Sequence, residues 1–320
     1  MITISSIVLL LTLYTIWDNK RIKIVEQEIV IENLPEELDG FTILQISDLH
    51  EELFGKNQSR LIKKINSIPY NTILFTGDMM LNKNSTNYIP FYTLLDGIKN
   101  KETALFVPGN TDPESYYVNK DGQFLKVDFI KGMEQRGVKL LESFQTLQKG
   151  KAKIHYVNFE LSIQNEWYLN NIDKKIESNK LSYTGHLEYY KYLYNKMKTI
   201  EYNENADVLI ALNHYPVVDF RLDAIAADPI YTLMDLDLII AGHYHGGQIR
   251  LPFIGAIFVP EGWYEDNGFF PPQDRVKGLW EYRNIKQYVS AGLGSSDAKA
   301  YLKYRLFNTP EINVLKLKKE

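Results

Sequence analysis

The chain has 320 residues, 45% hydrophobic and 24% charged, the balance of a globular body long enough for one large single-core domain. A formal net charge of −4 leaves no basic surplus for a phosphate backbone, so sequence-independent nucleic-acid binding is not expected. With no cysteine there are no disulfides, thiolate metal sites or cysteine nucleophiles, and any metal must rest on His, Asp, Asn or Glu.

The run Ile2 to Trp17 is apolar apart from a few Ser and Thr, and Asp18, Asn19, Lys20 and Arg21 end it. It is slightly short for a span, since about 20 residues cross a bilayer. No charged segment precedes it and no small-residue cleavage site follows, which sets a cleaved signal peptide aside. Residues 1–19 are expected to be a membrane anchor or uncleaved signal at the cell membrane, with a buried core helix as the alternative. Lys20, Arg21 and Lys23 follow the run and no Lys or Arg precedes it, which favours the cytoplasmic side for residues 20–320.

Alternation in Ile22–Ile31 predicts a strand, and Asn33, Pro35 and Gly40 punctuate the approach to the next element. From Phe41 an apolar run, a polar loop and a helical stretch repeat. Phe41–Ile46 leads to a helix around Asn57–Ser67, Ile73–Thr76 to one around Tyr88–Asn100, and Ala104–Val107 to one around Lys126–Arg136. That order predicts βαβ units with parallel strands. Further strands are expected at Val138–Leu141, Lys153–Val157, Phe159–Ile163, Val208–Leu212, Leu238–Ala241, Gln287–Ser290 and Ile312–Leu317, forming a second, more mixed sheet. The polar stretch at about 164–200 reads as an insertion with a helix around Leu187–Ile200. Pro252–Trp280 reads as a long loop over a site, its Trp263, Tyr264, Phe269 and Phe270 being either core or a lipid-facing lip.

Polar groups gather where these strands end. Asp48 and His50 follow the first βαβ strand, Asp78 the second, Asn110 the third, His214 the strand at Val208–Leu212, and His243 and His245 the strand at Leu238–Ala241. Open α/β sheets place ligand sites at the carboxyl ends of strands. Carboxylates and imidazoles are divalent-metal ligands, Asn110 adds a carbonyl oxygen, and a carboxylate such as Asp78 has two oxygens with which to bridge a metal pair. Singly, Gly77-Asp78 or Gly109-Asn110 reads as a turn; together and in this order, chance is a poor explanation. His155 and His186 lie outside these motifs and read as structural or surface residues.

The blocks Asp48-Leu49-His50, Gly77-Asp78, Gly109-Asn110, His214 and Gly242-His243-Tyr244-His245 resemble those of the calcineurin-like metallophosphoesterase superfamily, over about Phe41 to Leu317. Gly246-Gly247-Gln248, Gly292-Leu293-Gly294 and Pro310-Glu311-Ile312 resemble its membrane-associated or exported branch. The resemblance implies an α/β fold: a four-layer αββα sandwich of two mixed β-sheets flanked by helices. It implies one metal on Asp48, His50, Asp78 and His245 and a second on Asp78, Asn110, His214 and His243, both divalent (Mn, Fe or Zn). It further implies in-line attack on phosphorus by a metal-bridging hydroxide.

One position departs from the pattern. The family usually has His after the metal-binding Asn; here it is Thr111, with Asp112 kept as a candidate catalytic residue. A hydroxyl is a poor general acid, so the expected substrate has a leaving group stable without protonation, such as the phosphate of a pyrophosphate linkage. A phosphodiesterase or pyrophosphatase acting on a phosphorylated small-molecule or lipid-linked substrate is the leading expectation. The alternatives are a phosphomonoesterase or protein phosphatase, and a metal-binding protein that has lost turnover.

Overall fold

The computed structural model describes residues 4–167, 169–171, 174, 184–204, 206–296 and 303–320. Two six-stranded sheets form its middle. The first runs β1 (Lys23–Ile31), β16 (Glu311–Lys319), β2 (Thr42–Ile46), β3 (Thr72–Phe75), β4 (Ala104–Phe106) and β7 (Lys139–Leu140). From β2 to β7 the pairing is parallel, and β16 enters antiparallel to β2 while lying parallel to β1. The second runs β14 (Gly278–Tyr282), β15 (Ile285–Val289), β11 (Leu238–Ala241), β10 (Asp207–Leu212), β9 (Ala152–Asn158) and β8 (Phe144–Lys149), parallel in the middle and antiparallel at both edges.

Strand periodicity explains the layers. Successive side chains point to opposite faces, and central strands covered on both faces are apolar throughout. Ile43, Leu74 and Leu105 therefore meet Ile154, Val208, Ile210 and Ile240 between the sheets. Leu44, Ile46, Ile73, Phe75 and Phe106 face the other way. There they meet α2 (Ser59–Ile65), α3 (Ile89–Gly97) and α4 (Asp128–Gln135), which bury Leu61, Phe91 and Phe129. On the far side, Val157, Leu209 and Ile239 pack against α5 (Phe159–Ser162), α6 (Thr184–Met197) and α7 (Asp219–Ala227). The result is the expected αββα sandwich.

Several elements differ from expectation. Phe159–Ile163 is not a strand: Asn158 caps a helical turn by accepting from the Leu161 amide at 3.1 Å, so the chain coils as soon as β9 ends. The insertion carries its helix at Thr184–Met197, and 168, 172–173 and 175–183 lie outside the described residues. The loop after β11 is partly ordered by the short pair β12 (Arg250–Leu251) and β13 (Gly255–Ala256). A second small hairpin, β5 (Tyr116–Val118) with β6 (Phe124–Lys126), precedes α4. The aromatic group of that long loop divides: Tyr264 packs against a buried cluster containing Tyr244 and Trp280, whereas Trp263, Phe269 and Phe270 are exposed.

The N-terminal segment requires a correction. α1 (Ile4–Asn19) is a helix of 16 residues, and among the described residues no helix is long and apolar enough to cross a membrane. A transmembrane helix is therefore not supported. The end of α1 is fixed by the body of the domain: Thr309 Oγ1 donates to Asp18 Oδ1 at 2.7 Å, and Asn19 exchanges two hydrogen bonds of 2.7 Å with the backbone of Arg305. Nine apolar side chains of α1, including Leu9, Leu10 and Trp17, are nonetheless exposed.

Candidate metal centre

The ends of β2, β3, β10 and β11 and the loop after β4 meet along one rim. Two sets of ligand atoms converge there, each within 4.8 Å of one another: Asp48, His50, Asp78 and His245 in one, Asp78, His214 and His243 in the other. Asp78 belongs to both, the position expected of a bridging carboxylate. Its Oδ2 lies 3.5 Å from His50 Nε2 and 3.3 Å from His214 Nε2. His50 Nε2 faces His245 Nε2 at 3.3 Å, and His245 Nε2 is 3.7 Å from Asp48 Oδ1. Asn110 Oδ1 lies 3.1 Å from His214 Nε2, which brings it to the second set.

The backbone is shaped for this convergence. Asp48, His50, Asp78, His243 and His245 all have positive φ, between 46° and 70°, a region that costs an L-residue energy and occurs mainly where surrounding structure enforces it. Hydrogen bonds between the loops supply that enforcement: Asp48 N–H to Gly77 O and His50 N–H to Asp78 O, each 3.0 Å. Gly109 has no alternative at its position, because a Cβ there would collide with the Asp78 carboxylate and amide.

The imidazole tautomers fit a metal pair. His214 Nδ1 lies 2.8 Å from the Thr76 carbonyl and donates to it, which turns Nε2 toward Asp78 and Asn110 as the nitrogen that would hold a metal once it gives up its proton. His243 is oriented the opposite way. Its Nε2 is 3.3 Å from the Pro260 carbonyl, which leaves Nδ1 to face His214 Nε2 at 3.1 Å. The two nitrogens thus converge on one point, where either the His214 proton or a divalent cation can sit between them. Burial, with the neighbouring His214 charge, lowers His243 to about 3, and burial with His50 and Arg305 nearby holds His245 well below the usual range, so both are neutral ligands at pH 7. Burial opposes charge on His214 and Asp78 as well, but each is outweighed by the other: His214 is raised to about 9 and Asp78 is lowered. Asp48, deeply buried and facing Asp78, is pushed up to about 7.

Asp112 has a different part. Its carboxylate touches neither ligand set but accepts from the amides of Asp78, Gly109, Met79 and Met80 at 2.7, 2.8, 2.9 and 3.1 Å, tying together the loops that carry Asp78 and Asn110. The Thr111 amide donates to Asp78 Oδ1 at 2.8 Å, while its hydroxyl donates to the Met80 carbonyl at 2.7 Å. Outside the centre, His155 Nδ1 contacts Thr146 Oγ1 at 2.8 Å, and the His186 ring packs against Tyr190.

Sequence reasoning missed Arg305 and Asn308. The Arg305 guanidinium, 1% exposed, donates to the carbonyls of Asn308, Gly294, Ala291 and His245, and Asn308 Nδ2 also donates to His245 O at 2.6 Å. Their acceptors are main-chain carbonyls, which leave no mark in a sequence.

Residues 41–247 match the model of the calcineurin-like phosphoesterase family. The chain belongs to that family and is a metal-dependent phosphoesterase, a hydrolase whose paired ligand sets fit two divalent ions. It is 25% identical over 306 residues to the uncharacterized metallophosphoesterase YkuE of Bacillus subtilis (strain 168), covering 93% of this chain and 86% of that one. Among solved structures it is similar to the Thermus thermophilus sulfate thiohydrolase SoxB in complex with glycerol, with 11% identity and a TM-score of 0.37 over 89% of this chain; it spans 57% of the length of that one.

Proposed function

We propose that the protein hydrolyses phosphodiester or phosphoanhydride bonds whose leaving group departs without a proton, on a substrate presented at a membrane surface. The observation that carries the first part is Thr111, whose hydroxyl is committed to the Met80 carbonyl where the family pattern has a proton-donating His. A bound pair of divalent cations, with Mn, Fe and Zn all suited to this donor set, would supply a water of lowered pKa and neutralise charge on the phosphoryl oxygens. The chain's own residues set the geometry. Asp78 offers one oxygen toward His50 and His214 while the Thr111 amide holds the other, and the Thr76 and Pro260 carbonyls turn Nε2 of His214 and Nδ1 of His243 toward each other.

The exposed apolar side chains of α1 support the second part, since burying them in lipid is favourable by about 25 cal/mol per Å².

Hydrolysis rates of the manganese-loaded protein across aryl phosphodiesters of graded leaving-group pKa test the chemistry. A steep fall with rising pKa is expected, and Thr111→His should help the poorest leaving groups most. A flat dependence contradicts it.

A further inference from the structure

Beside the metal centre lies a cavity of about 480 Å³, within the size range of small-ligand sites. Asn213 and Tyr215, which flank the ligand His214, form its inner end, and the Tyr215 ring sits 4.4 Å from that of His243. A phosphoester held at the second ligand set would therefore direct an attached organic group into this space. Its outer wall is aromatic. Tyr116 from β5 stacks on Phe124 from β6 with centroids 4.4 Å apart, and Tyr189 of the insertion helix α6 lies 5.2 Å from each.

The charge of the lining is one-sided. Glu142 accepts from the hydroxyls of Tyr116 and Tyr189, Glu160 and Glu114 also line the space, and the described residues that line it include the imidazole of His186 but no Lys or Arg. Each of these carboxylates is paired with a cation that is not among the described lining residues. Lys126 is 3.7 Å from Glu142 but 2.6 Å from Glu134, Arg221 pairs with Glu160 at 2.6 Å, and Lys83 pairs with Glu114 at 3.1 Å. Burial raises both Tyr116 and Tyr189, so both phenols stay neutral. A second anionic group in this space would face three carboxylates whose paired cations, Lys126, Arg221 and Lys83, are not among the described residues that line it. An acyl chain would bury those carboxylates without a matching charge. An ammonium group gains from both the carboxylates and the faces of the aromatic rings.

We propose that this cavity binds the ester group that stays on phosphorus and selects one bearing a positive charge, an amino-alcohol ester of the ammonium class. The inference rests on the phosphoesterase reading of the neighbouring centre. In the reaction, water oxygen bonds to phosphorus, the bond from phosphorus to the leaving oxygen breaks, and the water proton passes to solvent.

The test compares two diesters with the same leaving group and the same shape, 4-nitrophenyl phosphorylcholine and its uncharged carbon isostere 4-nitrophenyl 3,3-dimethylbutyl phosphate. With the manganese-loaded full chain, kcat/KM should favour the choline ester by roughly tenfold. Glu142→Gln and, independently, Tyr189→Leu should each bring that ratio down toward one, and a ratio is insensitive to the fraction of protein that folds. Equal rates in the wild type, or a preference that both variants retain, would overturn the proposal. If neither diester is turned over, the hydrolytic reading falls, and calorimetric titration with choline phosphate against 3,3-dimethylbutyl phosphate decides the cavity on its own: tighter choline phosphate binding, weakened in Glu142→Gln, upholds it, and equal binding overturns it.

Discussion

Arg305 Nη2 donates to the carbonyl oxygen of His245 at 3.1 Å, although the two residues are 60 positions apart. This bond ties a candidate metal ligand with positive φ to a fully buried cation, whose remaining donors hold the turn at Ala291 to Gly294 and the Asn308 carbonyl. The Arg305 backbone in turn holds Asn19 at the end of α1, so the apolar helix and the metal centre share one connecting residue.

Removing that cation should therefore reach the metal. Arg305→Met strips four buried carbonyls of a charged donor, at a cost of about 3 kcal/mol by denaturant unfolding. It should also weaken manganese binding by about 10–100-fold, the usual effect of losing support behind a ligand. A variant destabilised to this degree that binds manganese with wild-type affinity would show that Arg305 serves the fold alone.

Asp112→Asn separates scaffolding from chemistry. An amide cannot accept four backbone N–H bonds, and its own NH₂ would face some of them, so a stability loss of about 2 kcal/mol is expected. Activity should fall through metal affinity and recover with excess manganese. A loss of kcat that saturating metal leaves unrepaired would place Asp112 in the reaction itself.

Asp237 gives a pH dependence away from the centre. Burial raises it from 3.8 to about 6, with Asp235 adding repulsion and the Leu209 amide opposing the shift. A folded-state value above the unfolded one means that its contribution is full below about pH 4 and is lost as pH rises through 6. Relative to wild type, Asp237→Asn should therefore gain stability between pH 4 and pH 6.5, read by thermal melts across that range. A difference that stays constant with pH would refute the assignment.

The convergence of the candidate ligand side chains was legible in sequence because it follows from strand periodicity. Each apolar run that buries both faces must end in a polar loop at the rim, and Asp48, Asp78, Asn110, His214, His243 and His245 stand at those ends. Phe159–Ile163 misled because an apolar-rich run of five residues suits a strand and a helical turn equally; the Asn158 cap decides it. The hydroxyl of Thr111 was read as a weak acid, and the structure adds where it points, a fact that depends on the Met80 carbonyl from another loop. A spanning helix is not supported because α1 has only 16 residues, and what the sequence hid is that Asp18 and Asn19 are held to the body by Thr309 and Arg305, distant in sequence.

A metal pair bridged by Asp78 is measured directly by metal content. Mass spectrometry of wild-type protein equilibrated with manganese should find two ions per chain, and Asp78→Ala should hold at most one. The same variant should lose hydrolysis of bis(4-nitrophenyl) phosphate by more than about 100-fold. One ion or none in the wild type, or two retained in Asp78→Ala, would contradict the account.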